Sequence, residues 1–182
     1  MRSPYAETAA AREMAANSSV GRTDRALGAL LPPDPPVPGW TLGYDGPIST
    51  AGLQPHSERE LLERHEFVAG WSRNFVAASG VFQEGAAVLT VYEFARGEQA
   101  VAFERSALDG GCPQTFDAYA IVAVPGAIGV ERHGSGVVHD VISFVQGPRY
   151  FRLDFGRPSE RHDRQEAERA AANLAATVLK RS

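Results

Sequence analysis

Val137–Phe155, VVHDVISFVQGPRYFRLDF, is the stretch whose reading decides the fold. It reads as two strands joined by a tight turn at Gly147-Pro148. In the second strand Phe151, Leu153 and Phe155 fall on one side and Tyr150, Arg152 and Asp154 on the other, the period-two pattern of a half-buried strand. Such a hairpin must bury its apolar face under a helix or a second sheet. Glu160–Lys180 supplies a helix, with Ser159 placed to cap it and Ala167, Ala171, Leu174 and Val178 forming an inward stripe.

Working back from the hairpin, Ile128–His133 reads as a strand returned by Gly134-Ser135-Gly136, and Ala118–Val124 as another, ended by Pro125-Gly126. Residues 97–109 have helical spacing, with Ala100, Val101, Phe103 and Leu108 on one side and Gly110-Gly111 as the stop. Ahead of them AAVLTVYEFA has two apolar faces, as a central strand covered on both sides would. Phe67, Ala69, Trp71 and Phe75 alternate along a long strand reaching about Ala77. Ser57 and Glu60 form a capping pattern for a helix over about Glu58–His65, and Trp40–Tyr44 is a first strand closed by Asp45-Gly46-Pro47. Consecutive strand pairs with short turns predict an α+β fold: a largely antiparallel sheet of six to seven strands packed with helices. A strand-strand-helix unit at about 66–108 and again at about 137–180 suggests a ββα duplication.

The start of the chain differs in character. Residues 4–17 are Ala-rich, and Thr23 or Asp24 can cap a short helix presenting Leu27, Leu30 and Leu31. Residues 32–38 carry five prolines in seven positions, which is a stiff extended connector. The same spacing suits a proline-rich ligand for a partner, but the connector reading is preferred. The expected organisation is a helical arm over 1–31, a connector over 32–38 and a single α+β domain over 39–182.

Composition narrows the function classes. At 43% hydrophobic and 22% charged residues the chain is an ordinary globular protein. A net charge of −4 offers nucleic acid no basic surface. Cys112 is the only cysteine, so neither an internal disulfide nor a thiolate metal cluster is available to one chain. No apolar run is long enough for a membrane span, and the N-terminus has no signal core. The sequence reads as cytoplasmic as it stands, and as extracytoplasmic if a leader has been trimmed from it.

The one convergent polar set is Glu131, His133 and His139, which bracket the glycine turn. If the turn takes all three residues Gly134–Gly136, the three side chains share a face as a two-histidine, one-carboxylate metal or acid/base group. If it takes only Ser135-Gly136, Arg132 lies opposite His139 and the histidines part. Cys112 has no electropositive neighbour in sequence to activate it, and His162-Asp163 reads as a solvated first helical turn. No catalytic, phosphate-binding or dinucleotide motif is present, and nothing specifies a cofactor. The aromatic residues Trp40, Trp71, Tyr92, Phe94, Phe103 and Phe144 could line an apolar pocket.

The segments GWTLGYDGPIS, FVAGWSRNF, AAVLTVYEFARGEQAVAFERSAL and VISFVQGPRYFRLDFGRP…AANLA resemble small α+β domains of exported proteins and lipoproteins of high-GC Gram-positive bacteria, Mog1/PsbP-like in architecture, over about residues 38–180. The resemblance implies a non-enzymatic module for binding or assembly and brings no catalytic motif. The chain departs from those domains in lacking a signal or lipidation cysteine and in carrying the N-terminal helix. The expected function is a non-catalytic binding or interaction domain with a protein partner or a second copy. The alternatives are a small-molecule or metal-dependent enzyme using Glu131, His133 and His139, and a carrier of an apolar ligand.

Overall fold

The computed structural model describes residues 22–50, 56–77, 85–109, 117–134 and 136–181. Seven strands form one open antiparallel sheet in the order β1-β2-β3-β7-β6-β5-β4. They are β1 (Thr41–Pro47), β2 (Phe67–Val76), β3 (Ala86–Phe94), β4 (Asp117–Ala120), β5 (Ile128–His133), β6 (Val137–Gln146) and β7 (Arg149–Pro158). The hairpin β6–β7 closes at Gly147, whose φ of +58° is left-handed backbone that glycine adopts without strain. Because β7 also pairs with β3, this hairpin joins β1-β2-β3 to β4-β5-β6.

Helices cover both faces. On one face α1 (Arg22–Gly28) and α4 (Arg164–Arg181) pack over Phe75, Leu89, Val91, Ile142, Phe151, Leu153 and Phe155. On the other, α2 (His56–Arg64) and α3 (Gly97–Asp109) enclose Tyr92, Phe94, Phe103 and Tyr150. Opposite parity on β7 therefore feeds two cores, and the face expected to be wet at Tyr150 is covered. The Ala167, Ala170, Ala171 and Ala175 side of α4 is buried, and small side chains let the helix approach the sheet closely. The strand-strand-helix echo survives in the sheet, where β3 and β7 are central neighbours, and breaks at the helices: α3 and α4 lie on opposite faces.

Several sequence expectations shift for local reasons. The β2–β3 register slips between Phe67 and Ala69. This bulge turns Phe67 toward Tyr92 and Phe94, at 5.7 and 6.4 Å between ring centroids, while Ala69 and Phe75 keep the opposite face. The strand expected over Ala118–Val124 ends at Ala120. Two successive turns follow, from Val124 N–H to Ile121 C=O and from Ala127 N–H to Val124 C=O, because Ile121, Val124 and Ala127 all reach the core. Ser159 opens a short 3₁₀ turn, Ser159–Arg161, and the final helix is capped by Asp163, whose Oδ1 accepts from Gln165 N–H at 3.0 Å.

The expected boundary at Gly39 does not divide two packing units among the described residues. Leu27, Leu30, Leu31 and Val37 share the core of the sheet. Arg73, 9% exposed, donates from Nη1 to the carbonyls of Leu31 and Pro32 at 2.8 Å each and pairs with Asp45. Arg181 from α4 donates to the carbonyls of Ala29 and Leu31. A Cβ on Gly28 would stand 2.6 Å from the Trp71 ring, so the end of α1 needs a bare backbone there. The Ala-rich stretch 4–17 and Cys112 lie outside the described residues.

Candidate functional site

The register of β5 against β6 decides which polar residues meet. His133 pairs with Val138, Arg132 with His139, and Glu131 with Asp140, and Gly134 N–H donates to Val137 C=O at 2.8 Å. This is the shorter-turn register. Glu131 and His133 share the α4 face, His133 Nε2 lying 2.7 Å from Glu131 Oε1, and His139 faces the other way. The three residues do not form one group.

Asp140 takes the place expected of His139. It stands at inward parity on β6 between Val138 and Ile142 and is 0% exposed. Its Oδ1 accepts from Tyr119 Oη at 2.7 Å, and His162 Nε2 lies 2.8 Å from Oδ2. Tyr119 reaches across because it pairs with Gly129, where a Cβ would sit 2.5 Å from its ring. Burial, followed by the hydrogen bond to Asp140, pushes the Tyr119 hydroxyl well above its usual range, so it remains a neutral donor.

Glu131, 8% exposed, uses its other oxygen on Arg164, the first residue of α4. Oε2 accepts from Arg164 Nη2 at 2.6 Å and from Nε at 3.2 Å. The Arg164 hydrogen bond holds the Glu131 carboxyl below the usual carboxylate range against the opposing effect of burial. The Arg164 guanidinium also lies 4.5 Å over the Tyr119 ring. His162 Nε2 is 3.9 Å from Glu131 Oε2, and one ligand-type atom each from Glu131, Asp140 and His162 lies within 4.8 Å of the others. Among the described residues, those three are the ones that could hold a metal.

Sequence reasoning passed over Asp140, Tyr119 and Arg164, and it read His162 as part of a solvated first helical turn, whereas His162 precedes the helix and is held against buried Asp140. One signal was present: a carboxylate at the core parity of an apolar strand, VVHDVISFV, calls for a buried partner. Nothing in the sequence shows that a 3₁₀ turn would deliver His162 to it.

A second polar chain occupies the opposite face. His139 Nδ1 lies 2.8 Å from Asp154 Oδ1, and its ring covers Gly156, where a Cβ would be 3.0 Å away. Arg152 donates to Asp154 at 3.3 Å and to Glu58 of α2 at 3.5 Å, and Tyr92 Oη donates to Glu58 at 3.0 Å. The hydrogen bond to Asp154 raises His139. For Asp154, burial pulls upward, but the contacts with His139 and Arg152 prevail and hold it low.

The aromatic residues do not surround one pocket. Trp40 stacks on Phe155 at 5.5 Å and Phe144 on Phe151 at 5.0 Å, on the α1/α4 face with Trp71. Phe103 packs 5.0 Å from both Phe94 and Tyr150 on the other face.

The molecule is thus an α+β domain with a seven-stranded antiparallel sheet. It is similar in structure to the extracellular domain of PknH from Mycobacterium tuberculosis, with a TM-score of 0.63 and 14% identity over 86% of this chain and 96% of that one. A GTP binding regulator from Thermotoga maritima matches at a TM-score of 0.43 and 12% identity, over 88% and 89% of the two chains. No family model matches the sequence, and no curated protein matches it. No helix among the described residues is long and apolar enough to cross a membrane.

Proposed function

We propose that the chain is a non-catalytic binding or regulatory module that works through a protein partner or a second copy of itself. One observation carries this reading. The polar groups gathered in the candidate site are directed at one another: Asp140 at Tyr119 and His162, Glu131 at Arg164 and His133. A general base or nucleophile must have a substrate-facing atom within hydrogen-bond reach of the reacting proton or bond. Here Asp140 is sealed from solvent and Glu131 nearly so. The likeness in fold to an extracellular domain of PknH is compatible with such a role, and the Mog1/PsbP-like kinship suggested by the sequence segments belongs to the same reading.

The test is sedimentation velocity on the purified chain in a chelating buffer, alone and with each partner captured by cross-linking in its native cell. A saturable complex of fixed stoichiometry, with itself or with a partner, supports the reading. A monomer that binds none of them and turns over a small molecule overturns it.

A further inference from the structure

Two carboxylates on directly paired positions of neighbouring strands, both nearly or wholly buried, are costly unless positive charge lies against them. Arg164 supplies one permanent charge, from the solvent side, with its side chain 43% exposed. We propose that Glu131, Asp140 and His162 form a divalent transition-metal site in which Arg164 is the counter-ion that the metal displaces. The inference rests on the reading of the chain as a binding module and names a ligand for it.

The donors suit the assignment. Two carboxylate oxygens and an imidazole nitrogen are a ligand set for Zn²⁺ and its first-row neighbours, and they come from three separate elements, β5, β6 and the turn ahead of α4. Tetrahedral bonds of about 2.0–2.2 Å place ligand atoms roughly 3.4 Å apart. The His162–Asp140 pair, at 2.8 Å, has to open by roughly 0.6 Å and the His162–Glu131 pair, at 3.9 Å, to close by roughly 0.5 Å. A divalent cation balances the two carboxylates in full, whereas Arg164 balances one of the two. Tyr119 donates to Asp140 at 2.7 Å and orients it as an outer partner. Arg164 has a resting place when it leaves Glu131, because its guanidinium already lies over the Tyr119 ring. Cation exchange is the chemistry that a carboxylate pair already hydrogen-bonded by an exposed arginine still offers.

The experiment is a Zn²⁺ titration of the full, untagged chain by calorimetry, with thermal melts in parallel and Co²⁺ as the spectroscopic probe. The expected result is one equivalent bound, a Tm that rises to saturation at that point, and Co²⁺ bands of low coordination number. His162→Gln and Asp140→Asn should each weaken binding at least tenfold. Arg164→Gln should strengthen it, and since Arg164 is the exposed member, this variant is informative even if the buried substitutions fail to fold. Absence of saturable binding in both the parent and Arg164→Gln overturns the proposal. Binding unchanged by His162→Gln also overturns it and means an adventitious surface metal only. Because the partner test is run under chelation, loss of metal binding and loss of partner binding are read separately.

Discussion

Glu131 faces Asp140 directly across the β5–β6 pair, and each carboxylate is answered from the far side of the sequence, by Arg164 and His162 respectively. The start of the last helix is thereby fastened to the β5–β6 pair.

Asp140→Ala is expected to lower stability by roughly 3 kcal/mol, because it strands the Tyr119 hydroxyl and the His162 ring at about 1–3 kcal/mol for each unsatisfied group. Urea unfolding monitored by circular dichroism measures it. A loss under about 0.5 kcal/mol would mean that water replaces both bonds without cost.

Gly129→Ala is expected to displace the Tyr119 ring and cost about 1–3 kcal/mol, the range for forcing atoms into a filled site. The readout is the Tyr119 ring resonances alongside the thermal midpoint. A double variant Gly129→Ala/Tyr119→Ala should lose little more than Tyr119→Ala alone, since the clash vanishes with the ring.

Leu31→Ala should cost about 2–5 kcal/mol, as for a fully buried leucine, and Leu179→Ala, at 70% exposure, close to nothing. A detachable arm ahead of Gly39 would make the two changes alike. Deletion of residues 1–38 should unfold the domain for the same reason.

The His139–Asp154 pair sets a pH window. His139 is raised in the folded state, so its contribution is complete below the unfolded value near 6.5 and is lost as pH climbs through the folded value. Asp154 is lowered, so its contribution is complete above about 4 and is lost as pH falls through its folded value. The pair therefore stabilises most between about pH 4 and 6.5. His139→Gln should remove the decline on the alkaline side of that window in a pH series of urea midpoints, and an unchanged slope would place the titration elsewhere.

Much of the architecture was legible because it rests on local pattern. Parity along β7, the helix at Gly97–Asp109 and the strand Ile128–His133 follow from side-chain period and from glycine and proline at the ends. The limits of Ala118–Val124 were not legible, since Ile121 and Val124 read equally well as strand or as two turns reaching inward. The candidate site was least legible. Its membership hangs on the turn around Gly134–Gly136, where one residue of register exchanges His139 for Asp140 on the α4 face. Its third member, His162, follows a 3₁₀ turn about thirty residues after Glu131 that no periodicity in the sequence announces.

The place of β7 in the sheet has a consequence for synthesis. Strands β1 to β3 and β4 to β6 are complete in the chain before residue 149, yet the two groups have no shared ladder until β7 lies between them. The central seam is thus made of contacts distant in sequence, such as Leu89 with Leu153, which close slowly because a long loop must be ordered first. A nascent chain halted before Arg149 lacks the strand that pairs with both β3 and β6, and strand edges left unpaired in that way favour pairing with a neighbouring chain. The last fifth of the protein, ending in the Arg181 contact with the carbonyls after α1, supplies that central ladder.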